Sequence, residues 1–241
     1  MKIADKTVFI TGANRGLGRA LVEEALRRGA KRVYAGTRQP FTHADGRVTV
    51  VPLDVTNAAQ INSAVEKVGT LDLLINNAAV AVLDDLSDRA VIEAHLEVNL
   101  FGVYGVTKAF VRLLARSRGA IVNVLSESSL APFPLVAAYS ISKAAAFSMT
   151  QSLRALLPPR GISVHAVLPG PIDTDMSRAA SIPKSSAESV ARGILNGVEN
   201  GEEEIFPDAK SATLAESWHS GAAKALERQY AAAFAAMTAP R

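Results

Sequence analysis

Short apolar runs alternate with longer amphipathic stretches along most of the chain. Runs of about four to eight apolar and β-branched residues predict strands, which cover residues 7–11, 32–36, 48–53, 71–76, 119–125 and 162–168. Stretches with apolar residues every three or four positions predict helices, which cover residues 16–28, 57–68, 87–116 in two pieces, 139–157 and 188–198. Residues 204–206 are a candidate seventh strand, and the alanine-rich stretch 209–237 predicts a long helix.

This alternation indicates the fold class. Short buried strands separated by helices are typical of βαβ units, in which the strands are parallel and both faces of the sheet are covered. We see no internal repeat, linker or domain boundary in the pattern. We therefore predict a single α/β domain over residues 1–241, with a doubly wound parallel sheet of about seven strands, helices on both faces, and a helical C-terminal extension from about residue 209.

The composition narrows the class of protein. An apolar fraction of 49% and a charged fraction of 20% are those of a globular protein with a sizeable core. The net charge of +3 is too small to indicate a nucleic-acid partner, and no apolar run approaches the ~18 residues of a membrane span. The chain has no cysteine, which excludes disulfides and is compatible with a reducing cytoplasm. Its histidines are isolated from one another, so we expect no metal site.

A glycine-rich segment lies between the first predicted strand and the first predicted helix. Its glycines have the spacing Gly12-x-x-x-Gly16-x-Gly18. Glycines at this place permit a tight turn and a close approach of the backbone to a pyrophosphate, which the free N–H groups and the dipole of the helix would bind. The spacing differs from the common G-x-G-x-x-G fingerprint. Its position after the opening strand nevertheless favours a dinucleotide site over a plain turn.

Tyr139 and Lys143 form the central candidate for chemistry. They are four residues apart, so a helix places both side chains on one face. A free tyrosine has a pKa near ~10, and a cation within a few Å lowers that pKa by roughly 1–3 units. Lysine alone therefore lowers the pKa of the tyrosine only part of the way towards neutral pH. An oxidised nicotinamide would supply the second positive charge that is needed. A Tyr-x-x-x-Lys match is common by chance. The alternative interpretation is that Tyr139 and Lys143 are simply two residues on a solvated helix.

Further motifs in a fixed order carry a family resemblance. They are Leu53-Asp54-Val55, Asn76-Asn77-Ala78-Ala79, Asn99, Ser126 and Pro169-Gly170-x-x-x-Thr174. Together with the glycine segment and the Tyr139–Lys143 pair, they are highly specific. The chain resembles the short-chain dehydrogenases/reductases of about 250 residues, which have a Rossmann fold and transfer hydride between a nicotinamide dinucleotide and a carbonyl or alcohol. The match in strand order covers nearly the whole chain.

The resemblance implies four catalytic residues. Ser126 would bind the substrate oxygen, and Tyr139 would give that oxygen a proton or take one from it. Lys143 would hold the hydroxyls of the nicotinamide ribose and lower the pKa of Tyr139. Asn99 would anchor a water that links Lys143 to solvent.

The resemblance also implies the set of residues that bind the cofactor. Asp54 would bond the adenine amino group, the segment Asn76 to Ala79 would pass under a ribose, and the segment Pro169 to Thr174 would cover the nicotinamide. The expected cofactor contacts are Gly12, Asn14, Arg15, Gly16, Leu17, Gly18, Thr37, Arg38, Asp54, Val55, Asn77, Ala78, Ala79, Tyr139, Lys143, Pro169, Gly170, Ile172 and Thr174.

The end of the second strand predicts NADP(H) rather than NAD(H). An NAD enzyme of this fold normally places an acid there, which bonds the free 2′-hydroxyl of the adenosine ribose. No Asp or Glu occurs between Lys31 and His43. Arg38 and the hydroxyl of Thr37 occupy that place, and Arg15 in the glycine segment could reach the same phosphate with a charge-assisted bond.

Three features depart from the family pattern. Ala79 replaces a glycine, which is tolerable if its φ is negative. A small residue usually precedes the catalytic serine, whereas Leu125 precedes Ser126 here and the charged Glu127 follows it. Glu127 either faces the pocket, where it would favour a cationic or hydroxylated substrate, or points away from it. We favour the second orientation. The glycine-rich tail common in tetrameric members is absent. We still expect a homodimer or homotetramer formed through helical residues 101–115 and 145–156. In the second of these helices, Ala146, Met149 and Leu153 are expected to face outward.

The leading functional hypothesis is an NADPH-dependent carbonyl reductase for a small or medium apolar ketone or aldehyde. Residues 128–136 would line its pocket and carry no charge, and residues 176–183 would form a mobile lid. The alternatives are an NAD-dependent alcohol dehydrogenase, a reductase of acyl groups tethered to a carrier protein, and a dinucleotide-binding regulator that has lost catalysis. Trp218, near the C-terminus, is expected to be a packing residue.

Overall fold

A computed structural model describes residues 1–178 and 181–238 of the chain. The strands are β1 (Thr7–Thr11), β2 (Arg32–Thr37), β3 (Val48–Pro52), β4 (Leu73–Asn76), β5 (Ala120–Val124), β6 (Ser163–Val167), β7 (Ile172–Asp173), β8 (Ser185–Ser186) and β9 (Glu204–Ile205). The α-helices are α1 (Gly16–Arg27), α2 (Ala58–Val68), α3 (Arg89–Leu96), α4 (Val103–Ser117), α5 (Ala137–Leu156), α6 (Ala187–Asn200), α7 (Ala209–His219) and α8 (Ala222–Thr238).

The central sheet has seven parallel strands in the order β3-β2-β1-β4-β5-β6-β9. The predicted fold class is therefore confirmed. The chain runs outward from β1 to β3 and then crosses to β4 on the other side of β1, so the strand order reverses between β1 and β4. Such a reversal leaves a crevice at the carboxyl ends of the strands, where α/β proteins of this kind bind ligands.

Apolar clusters cover both faces of the sheet. Along β1, Val8 and Ile10 belong to one cluster and Phe9 to the other, because successive side chains of a strand point to opposite faces. Helices α1 and α6 contribute to the first cluster, and α2 and α4 contribute to the second. Because both faces are buried, the strands are recognisable in the sequence as continuous apolar runs.

The helical region predicted as two pieces is one segment, Arg89–Ser117, with an irregular turn in its middle. Helices α3 and α4 are joined by a π-helical turn, Glu97–Gly102. By length and composition alone, the segment is long and apolar enough to cross a membrane. Phe110 and Leu114 are nevertheless fully buried against the sheet, and we assign the segment as a core helix.

The C-terminal extension differs from the single long helix that the sequence predicts. It forms two helices, α7 and α8, separated at Ser220 and Gly221. The N–H of Ser220 still donates to the carbonyl of Glu216, at 3.0 Å. Gly221 then passes so close to the preceding turn that an added Cβ would lie 2.8 Å from the carbonyl oxygen of Ser217. The glycine therefore permits the change of direction between the two helices.

A buried ionic cluster attaches α8 to the edge of the sheet. Glu204 of β9 has a fully buried side chain and lies 2.5 Å from Arg154 Nη1 and 3.0 Å from Lys224 Nζ. Glu227 contacts the same two cations at 2.6 and 3.1 Å. A buried charge without a partner is strongly destabilising, whereas a paired one is tolerated. The cluster therefore fixes α8 against α5 and β9.

The outward face of α5 also differs from expectation. The prediction that Ala146 faces outward is wrong, because Ala146 is fully buried in a cluster with Leu125 and Phe147. Tyr139, Lys143 and Ala146 follow one another at helical spacings of four and three, so Ala146 continues the inward stripe that the two catalytic candidates begin.

Candidate functional site

A cleft of about 1660 Å³ opens at the carboxyl ends of the central strands. Ligand pockets for drug-sized molecules are typically ~300–1,000 Å³, so this cleft has room for a dinucleotide together with a substrate. All of the residues that the sequence predicts as cofactor contacts line it, as do Ser126, Tyr139 and Lys143. Asn99, the remaining catalytic candidate, lies behind the wall.

The glycine segment forms a cradle that side chains would fill. Gly12 and Gly16 have φ values of 66° and 51°, which glycine adopts without a steric penalty. A Cβ on Gly18 would lie 2.0 Å from the carbonyl oxygen of Gly12. Arg15 makes no side-chain cap to α1 within the described part of the chain, so the first N–H groups of the helix remain available to a phosphate. The cradle fits the pyrophosphate of a dinucleotide.

Hydrogen bonds join the end of β1 to the segment after β4. The hydroxyl of Thr11 accepts from the N–H groups of Asn77 and Ala78, at 2.9 and 3.0 Å. The side-chain amide of Asn77 donates to the carbonyl of Thr11 at 2.9 Å. These bonds hold the two strand ends at a fixed separation beneath the cleft.

Alanine at position 79 is compatible with the backbone. The non-glycine residues with positive φ in the described chain are Asp5, Leu86 and Arg118. Ala79 therefore lies in a conformation that a residue with a Cβ adopts freely. Replacement of the family glycine leaves no strain at this position.

Asn99 connects two parts of the site through its side chain. It is fully buried within the π-helical turn, and such turns are frequent at functional sites. Its amide oxygen accepts from the N–H of Val80 at 2.9 Å, and its amide nitrogen donates to the Val80 carbonyl and to Ser142 Oγ, each at 2.9 Å. Asn99 thus ties the segment after β4 to the residue next to Lys143.

Tyr139 and Ser126 meet at the wall of the cleft. Tyr139 lies near the start of α5, and Ser126 follows β5. Burial raises the pKa of Tyr139 to about 12, while hydrogen bonding with the Ser126 side chain acts in the opposite direction. The lowering expected from Lys143 is absent, and the effect of burial on the phenolate exceeds that of the bond with Ser126.

Lys143 is buried, and the carbonyl at the end of β5 holds its ammonium group. Its Nζ donates to the carbonyl of Val124 at 2.8 Å and lies 5.6 Å from the centroid of the Tyr139 ring. Burial lowers the pKa of Lys143 to about 8, because the charged form is desolvated. An ammonium has three donors, so two remain for other partners on the cleft side.

The opposite end of the cleft carries the residues predicted for the adenosine. The side chains of Arg15 and Arg38 are exposed, and Arg15 Nη1 lies 3.5 Å from a carboxylate oxygen of Asp175. The N–H of Thr56 lowers the pKa of Asp54 most, with burial opposing this effect and the charge of Arg38 adding to it. Asp54 is therefore an ionised acceptor at neutral pH, with a cation nearby.

Apolar side chains surround the mouth of the cleft. The predicted segment 128–136 contributes Leu130, Phe133 and Leu135, and residues from two other segments join them. Several of these side chains are half or more exposed, namely Val82, Leu83, Phe133, Leu135 and Met176. Of the predicted lid, residues 176–178 and 181–183 are described, and Met176 and Ile182 line the cleft; residues 179–180 lie outside the described residues.

Helix α7 contributes residues to the cleft that were not predicted there. Lys210, Leu214, Ser217 and Trp218 line the cleft from this helix. Trp218 also packs against Phe147 with ring centroids 5.3 Å apart, so it both packs as predicted and lines the cleft. The spacing of these four residues places them on one helical face, which was a signal available in the sequence.

The expectation that Glu127 points away from the pocket is wrong. Glu127 lines the cleft, where its Oε1 forms an ion pair with Nζ of Lys210. No local pattern indicates this contact, because the two residues are 83 positions apart. The partner of Glu127 comes from the same missed helix.

Comparisons with known proteins point to one family. A family model described as short chain dehydrogenase matches residues 6–184. The 3-oxoacyl-(acyl-carrier-protein) reductase of Escherichia coli is 34% identical over a match covering 75% of this chain and 79% of that protein. A crystal structure of a short chain dehydrogenase from Burkholderia cenocepacia in complex with NADP has a TM-score of 0.87 at 37% identity, covering 95% of this chain and 98% of that one.

A further structural neighbour shares the fold at lower identity. It is a 3-ketoacyl-(acyl-carrier-protein) reductase from Brucella melitensis complexed with NADH. The TM-score is 0.79 at 22% identity, and the match covers 87% of this chain and 99% of that one. The two neighbours therefore bind different nicotinamide dinucleotides on a common fold.

The pKa of Lys143 predicts how the stability of the cofactor-free protein depends on pH. Its value of about 8 lies below the ordinary 10.5, so the unfolded chain binds more protons between these values and stability rises with pH there. Between pH 8 and 10, the free energy of unfolding of the wild type should rise relative to that of Lys143→Met, by up to about 1.4 kcal/mol per pH unit. Denaturant unfolding of both proteins measures the difference.

The window ends near pH 10 because the unfolded chain releases its Lys143 proton near the ordinary pKa of 10.5. Burial raises the pKa of Tyr139 from 10.0 to about 12, so stability falls with pH between these values in both proteins. Because Tyr139 and the other titrating groups are common to both, the difference between the two curves isolates Lys143. Parallel stability curves from pH 8 to 10 would show that native Lys143 titrates at its ordinary pKa.

Proposed function

The chain belongs to the short-chain dehydrogenase family of oxidoreductases, and on this basis we propose that it reduces small or medium apolar ketones or aldehydes with NADPH. One observation carries the proposal. Ser126, Tyr139 and Lys143 lie on the wall of a cleft that continues from the glycine cradle to an apolar mouth. The cradle end suits a dinucleotide, and the apolar end suits an uncharged substrate.

When bound, the nicotinamide supplies the hydride that the carbonyl carbon accepts. The hydroxyl of Ser126 donates a hydrogen bond to the carbonyl oxygen and so orients the carbonyl. Tyr139 then transfers its phenolic proton to that oxygen as a general acid. With a pKa of about 12, Tyr139 is protonated at neutral pH, which is the state that reduction requires.

Lys143 is proposed to orient the cofactor and to favour the loss of the tyrosine proton. With a pKa of about 8, it is mostly protonated at neutral pH. The Val124 carbonyl occupies one of its donors, which leaves the others for the ribose hydroxyls. Its positive charge also stabilises the phenolate that Tyr139 becomes during the transfer.

Asn99 and the outer walls have supporting roles in this proposal. Asn99 holds the residue beside Lys143 in place, and a water anchored at this point would return a proton to the site. The apolar side chains at the mouth exclude other water, which strengthens the electrostatic effects inside the cleft.

A second candidate substrate is an acyl group carried by a protein. The 34% identity to the Escherichia coli reductase of acyl-carrier-protein substrates favours it, as do the exposed apolar residues at the mouth. One measurement distinguishes the two candidates. It compares kcat/KM for a 3-oxoacyl group attached to a carrier protein with kcat/KM for the same group in a small thioester. A preference of at least about tenfold in kcat/KM for the carrier-bound form would favour the second candidate.

The role of Tyr139 predicts the effect of removing its proton donor. Tyr139→Phe keeps the aromatic ring and should lower kcat by on the order of 10²-fold or more. The affinity for the dinucleotide, measured by fluorescence titration, should change little. Retention of more than about a tenth of the wild-type activity would contradict the assignment, and a wild type inactive on a broad carbonyl panel would favour a non-catalytic regulator.

Cofactor preference is predicted from the two exposed arginines. Arg15→Ala and Arg38→Ala should each weaken NADPH binding by roughly 1.5–3 kcal/mol, because each removes charged hydrogen bonds to the 2′-phosphate. NADH, which lacks that phosphate, should be little affected. Dissociation constants and kcat/KM for both cofactors measure the effect.

Arg32 offers a matched control for that experiment. It lies in the same strand as Thr37, at the opposite end, and its side chain is also exposed. Arg32→Ala should leave both cofactors unchanged, which separates loss of a phosphate contact from loss of surface charge. A wild-type preference for NADH, or equal losses for both cofactors, would overturn the NADPH assignment.

We further propose that the protein is at least a dimer, formed through α4 and α5. Exposed apolar side chains lie on and just before these helices, including Phe101, Tyr104, Ile141 and Leu156, and isologous pairing would bury them. Sedimentation equilibrium at micromolar concentration should give a dimer or a tetramer. Tyr104→Glu should shift the population towards monomer, and a wild-type monomer would refute the proposal.

A further inference from the structure

The ion pair between Glu127 and Lys210 lies in the wall of the cleft, directly after the predicted substrate-binding Ser126. We propose that this pair determines substrate specificity, because each charge cancels the other and the wall then selects uncharged substrates. The inference rests on the proposed reduction of a carbonyl substrate. It assigns a function to two residues that the proposed chemistry leaves unused.

Both charges lie in the same cleft as the catalytic candidates. Glu127 begins a short 3₁₀ turn, and its N–H donates to the carbonyl of Pro169 at 3.0 Å. Lys210 lies in the first turn of α7. The side chain of Glu127 is 23% exposed and that of Lys210 is 59% exposed. A substrate in the cleft can therefore reach either group.

The backbone around Gly170 fixes where the pair forms. Asp208 caps α7 through the N–H groups of Lys210 and Ser211, at 3.1 and 3.0 Å, and also accepts from the N–H of Gly170 at 2.9 Å. A Cβ on Gly170 would lie 3.3 Å from Cδ of Lys210 and 3.5 Å from Oε2 of Glu127. The two charged side chains thus meet over one glycine, between fixed segments of backbone.

Other charged groups near the pair are the same in all of the variants compared below. The carboxylate of Asp208 already accepts three N–H groups and the hydroxyl of Ser211. Lys184 lines the cleft from another segment, and its charge is the same in every variant compared below. The comparison therefore isolates the contribution of Glu127 and Lys210.

Breaking the pair should change specificity more than stability. A partly exposed ion pair contributes little to folding, so variants at these positions should fold. Removing one partner leaves an unpaired charge in the wall, which attracts a substrate of opposite charge and repels one of like charge. Removing both should restore the neutral wall.

The test uses three ketones of nearly the same shape: acetophenone, 4-acetylbenzoate and 4-acetylbenzylamine. The proteins are the wild type, Glu127→Gln, Lys210→Met and the double variant, each assayed for kcat/KM with NADPH. Relative to acetophenone, Glu127→Gln should gain about five- to tenfold for the anionic ketone, and Lys210→Met should gain about as much for the cationic one. The double variant should return to the wild-type ratios.

Two further readouts keep the outcomes distinct. The gains should shrink in 0.5 M salt, because partly exposed charges are screened. Trp218 is the one tryptophan in the chain and lines the cleft, so its fluorescence reports ketone binding whether or not turnover occurs. If the wild type binds acetophenone without reducing it, the proposed reaction fails, and the same charge ratios are then measured as dissociation constants.

Three results would overturn the inference. They are unchanged ratios in both single variants, a double variant that behaves like either single one, and failure of the neutral ketone to bind the wild type. Each can be observed without knowledge of the natural substrate.

Discussion

The close contact between the turn after β1 and the first turn of α1 is the constraint on which the site depends. A Cβ on Gly18 would lie 2.0 Å from the Gly12 carbonyl oxygen, and one on Gly12 would lie 2.9 Å from Cα of Ala78. No side chain fits at either place, so the helix approaches the strand closely enough to aim its N–H groups at the crevice. The reversal of strand order then supplies the open edge where a dinucleotide can lie across those groups.

A chain of buried polar contacts links the sheet to α5. The amide of Asn76 donates to Asn123, and that of Asn123 donates to Thr150 on α5, each at 2.9 Å. Lys143 reaches back to the end of β5, so α5 is held to the sheet at two levels. Because partly satisfied buried polar groups are costly, these bonds restrict the helix to one register, and that register presents Tyr139 to the cleft.

The sequence predicted those parts of the fold and site that local pattern determines. Strands buried on both faces appeared as continuous apolar runs, and the motif residues fell at the ends of those strands, where parallel topology brings them together. The errors concern tertiary contacts. The inward position of Ala146, the break at Gly221 and the pairing of Glu127 with Lys210 depend on which surfaces meet, and the high pKa of Tyr139 depends on the burial that results.

That burial also shapes the chemistry. It raises the pKa of Tyr139 to about 12 and lowers that of Lys143 to about 8, because desolvation penalises a phenolate and an ammonium alike. A tyrosine in this state keeps its proton until a new positive charge develops nearby. In the proposed reduction, the bound dinucleotide would supply such a charge as it gives up hydride, when the substrate oxygen needs a proton. Desolvation would then suppress early proton loss and couple the proton transfer to the hydride transfer.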